Sequence, residues 1–269
     1  MALYETLAAV YDWLVPDELL TPEGSAAAFA PALAEVPDGA RVLDCAAGTG
    51  QLAVGLALRG FVVTATDASR EMIERTRALA ARRGVAVEAD TCAWTDLPTR
   101  PWAGRFDAVL CVGNSLTHAE GRAGRRAALA GMAGALRPGG VLLVTSRNWE
   151  RVRATRSGLD VAEEVVEREG RPGLAVRSWA IPDDPAARHE LEVAVVLLGP
   201  GRAVTTVSER MPFWPFTHGA LDEDLAAAGL TPESSTYAPD ADRYLVTARR
   251  PPAPAAATRR AAIEPPAHG

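Results

Sequence analysis

Residues 42–50 read Val-Leu-Asp-Cys-Ala-Ala-Gly-Thr-Gly, and the chain's fold is decided in this stretch. A short apolar run ends in an acid, and small residues then lead into a helical pattern that starts at Gln51. Glycines at positions 48 and 50 lack the Cβ atom that would keep a ligand away from the backbone. The segment therefore predicts a strand-to-helix turn that lies against a nucleoside, with Asp44 as an acceptor at the strand end.

Other nucleotide-binding turns fit these residues less well. A P-loop requires a lysine after its second glycine, and the chain contains no lysine. The dinucleotide fingerprint G-x-G-x-x-G has its third glycine where this chain has Ala53, a permissible but imperfect match. A nicotinamide-dependent dehydrogenase stays open as an alternative, because it shares a glycine turn and an acid after the second strand.

The composition limits the possible partners. The 269 residues are 48% hydrophobic, enough for one sizeable α/β core, and a net charge of -6 argues against nucleic-acid binding. No apolar stretch approaches the roughly 20 residues that span a bilayer, and the N-terminus lacks the basic flank of a secretory signal. Cys45, Cys92 and Cys111 lack metal-type spacing, and the four histidines are scattered. We expect a cytoplasmic protein with reduced thiols, no metal site and no membrane contact.

Apolar runs alternate with helical patterns between residues 40 and 150, which is typical of a parallel sheet with crossover helices. The predicted strands are 41–45, 61–66, 85–89, 106–112 and 141–146. The predicted helices are 3–14, 23–35, 51–59, 69–82 and 122–136, with Ser69 capping the fourth and Pro138-Gly139-Gly140 ending the last.

The pattern changes near residue 155, where β-rich stretches follow one another without long helices. The predicted strands there are 173–181, 189–198 and 202–211, with 161–169 as a possible fourth, and they form an antiparallel lid. A helix at 221–228 and a hairpin of 231–239 with 243–248 follow. The predicted fold is thus α/β, with a doubly wound, mainly parallel seven-stranded sheet, a C-terminal antiparallel hairpin and an inserted antiparallel β lid.

Four segments follow from this reading. They are an N-terminal half with cap helices and the Rossmann-like cofactor-binding unit (1–154), the lid (155–211), the helix and hairpin that complete the sheet (212–250), and a tail (251–269). The tail contains too few bulky apolar residues to pack, so we expect it to be disordered.

Five motifs together resemble the class I S-adenosylmethionine-dependent methyltransferases, and within them the glycine/sarcosine N-methyltransferase group. They are LDCAAGTG at 43–50, TDASREMI at 66–73, CVGNSLTH at 111–118, RPGG at 137–140 and SRN at 146–148. Each lies at a predicted strand end or beside one, and the carboxyl ends of the strands in such a sheet form one crevice.

The resemblance implies S-adenosyl-L-methionine as the cofactor. Asp67 would accept both ribose hydroxyls, or be a helix N-cap acid. Asp90 and Thr91, placed after the third strand, would face the adenine edge, although Asp90 equally fits a surface loop and the family has Asn-Trp there. The expected cofactor-binding residues are Tyr11, Asp44, Ala46, Gly48, Gly50, Asp67, Ala68, Met72, Asp90, Thr91, Val112 and His118.

The resemblance also implies that Asn114 and Arg147 bind a substrate carboxylate. A guanidinium in a cleft is costly to desolvate without an anion, although Arg147 could instead pair with an internal acid such as Asp44. His118 corresponds to a family histidine near the sulfonium, yet alone it equally fits a buried structural histidine. We group Asn114, His118 and Arg147 as catalytic candidates.

The chain departs from the family where tyrosines are expected, because Phe213-Trp214-Pro215 stands near the end of the lid. Phe213 and Trp214 could line a site for a bulkier acceptor, or could be lid core residues.

The predicted function is methyl transfer to the nitrogen of a small amino-acid-like or carboxylate-bearing metabolite. A deprotonated amine attacks a sulfonium methyl group without a resident base, and no catalytic dyad is evident. Alternatives are O- or C-methylation of a specialised metabolite, with His118 as the local base for an oxygen acceptor, and cofactor binding without catalysis. The oligomeric state and the acceptor's identity stay open.

Overall fold

The computed structural model describes residues 4–155 and 158–252, except for the side chain of Arg202. Most of the tail that the sequence predicts to be disordered, from residue 253 onward, lies outside the described residues. The α-helices are α1 (Pro22–Phe29), α2 (Gln51–Leu58), α3 (Arg70–Arg83), α4 (Gly121–Ala135), α5 (Trp149–Thr155) and α6 (His218–Ala227). Short 3-10 helices cover Ala8–Leu14, Asp17–Leu19, Pro31–Leu33, Trp94–Thr99, Ser115–His118 and Pro200–Arg202.

The first sheet has seven strands in the order β11-β12-β5-β4-β1-β2-β3. Its strands are β1 (Arg41–Asp44), β2 (Val62–Asp67), β3 (Val87–Thr91), β4 (Phe106–Cys111), β5 (Leu136–Arg147), β11 (Thr231–Ser235) and β12 (Arg243–Arg249). Strands β1 to β5 pair in parallel, whereas β12 is antiparallel to both β5 and β11. The seven-stranded sheet with a C-terminal antiparallel hairpin is thus confirmed.

The second sheet is the predicted antiparallel lid. It contains β6 (Leu159–Val161), β7 (Val166–Arg168), β8 (Arg171–Ala180), β9 (His189–Leu198) and β10 (Val204–Phe213). The possible strand at 161–169 divides into β6 and β7, which both pair with β8. Apolar lid residues such as Trp179 and Val195 pack with Trp13 of the N-terminal segment, so the lid shares its core with the chain's first turns.

Both faces of the seven-stranded sheet are buried, as a doubly wound fold requires. Leu43 of β1 packs in a core that contains Leu129 of α4, while its neighbour Val42 packs in one that contains Leu56 of α2. Successive side chains on a strand point to opposite faces, so α4 and α2 cover opposite sides of the sheet. The loop from β1 to α2 and the loop from β4 toward α4 both leave the sheet at the edge where these parallel strands end.

The sequence predicted α3 most closely. The Ser69 side chain accepts a hydrogen bond from the Met72 backbone at 3.3 Å, and Gly84 ends the helix with φ +65°. This N-cap and left-handed C-cap satisfy backbone groups that the helix itself leaves unpaired. The start of the helix after Asp67 is thereby fixed.

Several predicted boundaries were wrong. Strand β3 runs to Thr91, because Asp67 and Thr91 pair in the parallel ladder, so Asp90 and Thr91 lie inside the strand and not after it. Helix α4 ends at Ala135, and residues 137–140 form an irregularity inside β5 where its register with β4 shifts. The segment 3–14 contains a 3-10 helix, and 23–35 divides into α1 and a second 3-10 turn. Helix α5 was not predicted.

The three cysteines, Cys45, Cys92 and Cys111, are buried and free in the structure. Throughout residues 4–155 and 158–252, no helix has both the length and the apolar character that crossing a bilayer demands. Over the same residues, no three His, Cys, Asp or Glu side chains come together in a group that could hold a metal ion.

Candidate active site

A cleft of about 460 Å³ lies at the carboxyl ends of β1 and β4. It begins at the turn after β1, passes residues 112–115 after β4 and extends to β12, while the N-terminal segment from Tyr11 to Phe29 contributes its outer wall. Its polar lining consists of Tyr11, Glu18, Ser25, Asp44, Thr49, Gln51, Ser115, Thr145, Thr236, Arg243 and Tyr244. The predicted nucleoside turn therefore opens into a cavity large enough for a small molecule.

The turn after β1 is held by tight backbone contacts. Gly50 has φ +86°, and a Cβ atom at this position would lie 2.7 Å from Oγ1 and 2.9 Å from Cα of Thr76. Thr76 donates from Oγ1 to the Gly48 carbonyl at 2.9 Å, and the Gly48 amide donates to Asp67 at 3.0 Å. The turn is thus fixed against both α3 and the end of β2.

Two acceptor atoms on the cleft wall have no partner. Among the described residues, Asp44 Oδ2 and Gln51 Oε1 are buried and receive no hydrogen bond. Burial and, to a smaller extent, the charge of Asp67 raise the pKa of Asp44, whereas the Ala46 amide lowers it by donating to the carboxylate, and the net pKa is about 7. A buried acceptor without a donor is costly, so both atoms fit a ligand that brings N–H groups or positive charge.

The predicted cofactor residues divide into two groups. Those that line the cleft are Tyr11, Asp44, Ala46, Gly48 and Val112. Those that do not are Gly50, Asp67, Ala68, Met72, Asp90, Thr91 and His118. In the second group Gly50 and Asp67 shape the turn, Met72 is buried in α3, and Asp90 forms a salt bridge with Arg100 at 2.8 Å. Cofactor binding by these residues stays a prediction.

Asp67 is held by two backbone amides, with Gly48 donating to one carboxylate oxygen and Ser69 to the other at 2.9 Å. Burial raises its pKa, and these amide hydrogen bonds lower it. Because Ser69 is the N-cap of α3, Asp67 itself does not cap the helix. Each oxygen keeps a lone pair for a further donor, as the predicted role toward ribose hydroxyls needs.

Asn114 joins the loop after β4 to the end of β5. Its Oδ1 accepts from the Arg147 amide at 2.9 Å and from the Trp149 indole at 3.1 Å, and its Nδ2 donates to Thr117 at 3.2 Å. The residue has φ +68° and does not line the cleft. The carboxamide is thus engaged inside the protein, and its role toward a substrate carboxylate stays a prediction.

Arg147 ends β5 and points toward the lid. Its Nη2 lies 3.5 Å from Asp160, and its guanidinium carbon lies 4.9 Å from the centre of the Trp179 ring. It borders an outer pocket of about 300 Å³ between α5 and the lid. The internal partner of Arg147 is therefore Asp160 and not Asp44, and the length of that contact leaves the guanidinium able to take a second anion.

His118 is half-buried, and both of its ring nitrogens have a partner. Nδ1 lies 3.3 Å from the Pro212 carbonyl and Nε2 lies 3.2 Å from the Tyr4 hydroxyl. Burial lowers the pKa of His118, and the carbonyl contact opposes this shift. A carbonyl requires a proton on Nδ1, so in the neutral ring Nε2 accepts from Tyr4. His118 thereby connects the N-terminal segment to β10.

Phe213 and Trp214 line a second cavity of about 320 Å³, between the lid and helices α4, α5 and α6. Phe213 is 1% exposed and lies 5.1 Å from Trp149, ring centre to ring centre. Trp149 also lines this cavity and donates to Asn114, so it connects the aromatic wall with the β4–β5 loops. Phe213 belongs to the lid core, and a substrate contact stays a prediction.

The sequence reading missed several cleft residues. Gln51 could have been found as the first residue after the glycine turn, where a helix start faces the ligand. Thr236, Arg243 and Tyr244 come from the hairpin, and only the antiparallel pairing of β12 with β5 brings them to the cleft. No short motif marks such residues, because their position depends on long-range register.

Comparison with known proteins agrees with this geometry. Residues 42–140 match the family model described as a methyltransferase domain. The stretch 42–140 is thus similar to a methyltransferase domain. The glycine/sarcosine N-methyltransferase of Halorhodospira halochloris is 38% identical over 112 residues, 42% of this chain and 41% of that protein. The glycine N-methyltransferase of Rattus norvegicus is 38% identical over 128 residues, 43% of each chain. This chain therefore covers about two fifths of these relatives.

Solved structures resemble this chain over nearly its whole length. An S-adenosylmethionine-dependent methyltransferase from Clostridium acetobutylicum has a TM-score of 0.71 at 15% identity and covers 92% of this chain and 99% of its own. The amino pentose methyltransferase CalS10 from Micromonospora echinaspora, solved with S-adenosylmethionine, has a TM-score of 0.68 at 23% identity. The match covers 93% of this chain and 98% of CalS10. Both likenesses show that this chain, lid included, has the same fold as these two proteins.

Proposed function

We propose that this protein transfers a methyl group from S-adenosylmethionine to the nitrogen of a small amine that bears a carboxylate. One observation carries the proposal. Residues 42–140, which match a methyltransferase domain, contribute the part of the cleft wall that holds the unpaired Asp44 and Gln51 acceptors, and 112 residues of the chain are 38% identical to a glycine/sarcosine N-methyltransferase.

The residues at the turn suit the donor molecule. When bound, S-adenosylmethionine supplies an electrophilic methyl carbon on a sulfonium, together with an α-ammonium group and an adenosine. Asp44 and Gln51 would accept from the ammonium group, and Gly48, whose absent Cβ would lie 4.0 Å from Tyr11, leaves room beside the backbone. Asp67 would accept the ribose hydroxyls with its remaining lone pairs.

The acceptor side requires position more than covalent chemistry. The neutral amine attacks the methyl carbon, the carbon–sulfur bond breaks with its electron pair left on sulfur, and the methylated nitrogen then loses a proton to water. Arg147 would hold the acceptor's carboxylate, and the lid would exclude water, so the reacting atoms are aligned without a resident base. An oxygen acceptor would need a base, and His118, engaged at both nitrogens and away from the cleft, offers no specific support for that alternative.

The test is release of adenosylhomocysteine with a panel of paired acceptors. Glycine, sarcosine and other small amino acids are compared with matched amines that lack the carboxylate, such as glycinamide. We expect release with one or more carboxylate-bearing amines and little with their amide partners. Donor binding without release in any arm, or equal release from glycine and glycinamide, would contradict the proposed acceptor class.

Arg147→Gln tests the acceptor contact. Loss of a charge-assisted hydrogen bond of about 1.5–3 kcal/mol should raise the acceptor KM by about tenfold to 150-fold, while the Kd of adenosylhomocysteine changes little. Arg210→Gln is the matched control, because Arg210 lies on the exposed lid surface and pairs with Glu192 at 2.8 Å. Equal losses in acceptor KM and donor affinity would show that Arg147 is structural.

A further inference from the structure

The far end of the donor cleft contains a guanidinium without a partner. Arg243, at the start of β12, is the only lysine, arginine or histidine among the described residues that line the cleft. Within residues 4–155 and 158–252 its guanidinium makes no hydrogen bond and no salt bridge. Two carboxylates, those of Glu18 and Asp44, also line this cavity. Arg243 is therefore the sole positive charge available there to an anionic ligand group.

Arg243 is exposed at the mouth of the cleft, and its charged neighbours include other arginines. Arg243 lies directly opposite Arg147 in the antiparallel ladder of β12 and β5, and like charges at such positions repel. Desolvation by the cleft walls, then the positive charges of Arg147 and Arg177, lower the pKa of Arg243, while Tyr11 and Asp160 oppose this shift. An anionic ligand group at this end of the cleft would relieve the repulsion between the two arginines.

Arginines outnumber carboxylates in the cluster that surrounds Arg243, so it can take a carboxylate from each substrate. Arg147, Arg177 and Arg243 contribute three positive charges, and Asp160, at 3.5 Å from Arg147 and 3.8 Å from Arg177, offsets one of them. Under the proposed function the acceptor brings one carboxylate to Arg147. The donor brings another at the end of its amino-acid tail. One positive charge, that of Arg243, then remains for the donor's carboxylate.

The outer wall of the cleft offers no alternative. The N-terminal segment contributes Tyr11, Glu18, Leu19 and Phe29 to the lining, yet residues 1–40 contain no arginine, lysine or histidine. An arginine fork matches a carboxylate geometrically and electrostatically. Asp44 and Gln51 lie in the same cleft and can accept hydrogen bonds. The ammonium group of an amino acid would therefore meet these two acceptors, and its carboxylate would meet Arg243, within one cavity.

We propose that Arg243 binds the carboxylate of the donor's amino-acid tail. This inference rests on the proposed function, since it takes S-adenosylmethionine to be the donor. It assigns a donor-anchoring role to the C-terminal hairpin and so couples the last two strands to donor binding. Arg243 on β12 would then bind the carboxylate of the donor, and Arg147 on β5 would bind the carboxylate of the acceptor.

The experiment compares two ligands that differ only in the tail. Adenosylhomocysteine carries the amino acid, whereas methylthioadenosine keeps the adenosine and sulfur but lacks it. Calorimetric Kd values are measured for the wild type, Arg243→Gln, Arg243→Lys and the control Arg210→Gln. We expect Arg243→Gln to weaken adenosylhomocysteine binding by about tenfold to one-hundredfold and to leave methylthioadenosine binding unchanged. Arg243→Lys should recover part of the loss.

Each other outcome has a defined meaning. Equal weakening of both ligands would show that Arg243 supports the cleft structurally, and no weakening of either would remove it from the donor site. A rise in acceptor KM with an unchanged adenosylhomocysteine Kd would assign Arg243 to the acceptor instead. All three results overturn the inference and leave the proposed function intact. Failure of the wild type to bind adenosylhomocysteine would refute the proposed function itself.

Discussion

Replacement of Gly50 by alanine tests whether the donor turn is fixed by close backbone packing. Gly50 has φ +86°, and a side chain in this left-handed region costs about 1–2 kcal/mol. Its Cβ would also lie 2.7 Å from Oγ1, 2.8 Å from Cγ2 and 2.9 Å from Cα of Thr76. The Cα atom belongs to the backbone of α3 and cannot rotate away, so overpacking adds about 1–3 kcal/mol. We expect Gly50→Ala to lower the free energy of unfolding by about 2–5 kcal/mol in total.

Gly60→Ala is the matched control. Gly60 has φ +92°, similar to Gly50, but a Cβ atom there would have nothing within 4 Å. It should therefore show only the conformational cost of about 1–2 kcal/mol. The assay is urea unfolding followed by circular dichroism, with the two variants and the wild type measured together. If Gly50→Ala and Gly60→Ala destabilise equally, within about 0.5 kcal/mol, the packing of Thr76 against the turn is not what requires glycine.

Two buried acids give further predictions. Burial raises the pKa of Asp44 from 3.8 to about 7, so between these two pH values the folded state keeps a proton that the unfolded state loses. The contribution of Asp44 to the free energy of unfolding therefore falls as the pH rises from about 4 to about 7. Asp44→Asn should flatten that part of the unfolding profile; unchanged slopes would contradict it. Burial raises the pKa of Asp224, but hydrogen bonds from three arginines in the first half of α4 outweigh this effect and lower the pKa. They are Arg122, Arg125 and Arg126. Asp224→Asn should lower the free energy of unfolding by about 3–5 kcal/mol at pH 7, and this loss should shrink as the pH falls below about 4. The control Asp240→Asn, at an exposed position, should lower it little, and equal losses in the two variants would refute the pairing of Asp224 with the arginines.

Local patterns predicted much of the fold because each signal acts over a few residues. The turn at 42–50, the Ser69 cap and the alternating apolar runs of the lid each fix their own conformation, and the structure contains all three. Helix α5 was missed because its 7 residues are too few to show a repeating apolar face, although Asn148 before it accepts a hydrogen bond from the Arg151 amide at 3.0 Å, as an N-cap does. The end of β3 was misplaced because Asp90 and Thr91 are polar, whereas their strand conformation depends on pairing with β2.

The candidate site was less predictable than the fold. Asp44 and Gly48 were placed at the cleft from the motif at the end of β1, whereas Tyr11 was placed there only through the family resemblance. Arg243 could not be placed in this way, since the register of β12 against β5 sets its position and that register depends on tertiary packing. Asn114 is the reverse case. Its motif is evident in the sequence, but its hydrogen bonds with Arg147 and Trp149 could not be predicted from that motif.

The most direct test of the account is a crystal structure of the protein with adenosylhomocysteine. We expect the ligand in the cleft between β1 and β4, with its ammonium group within hydrogen-bond distance of Asp44 or Gln51 and its ribose at Asp67. Density for the ligand elsewhere, or a cleft that remains closed to it at saturating concentration, would contradict the central claim that this crevice is the donor site.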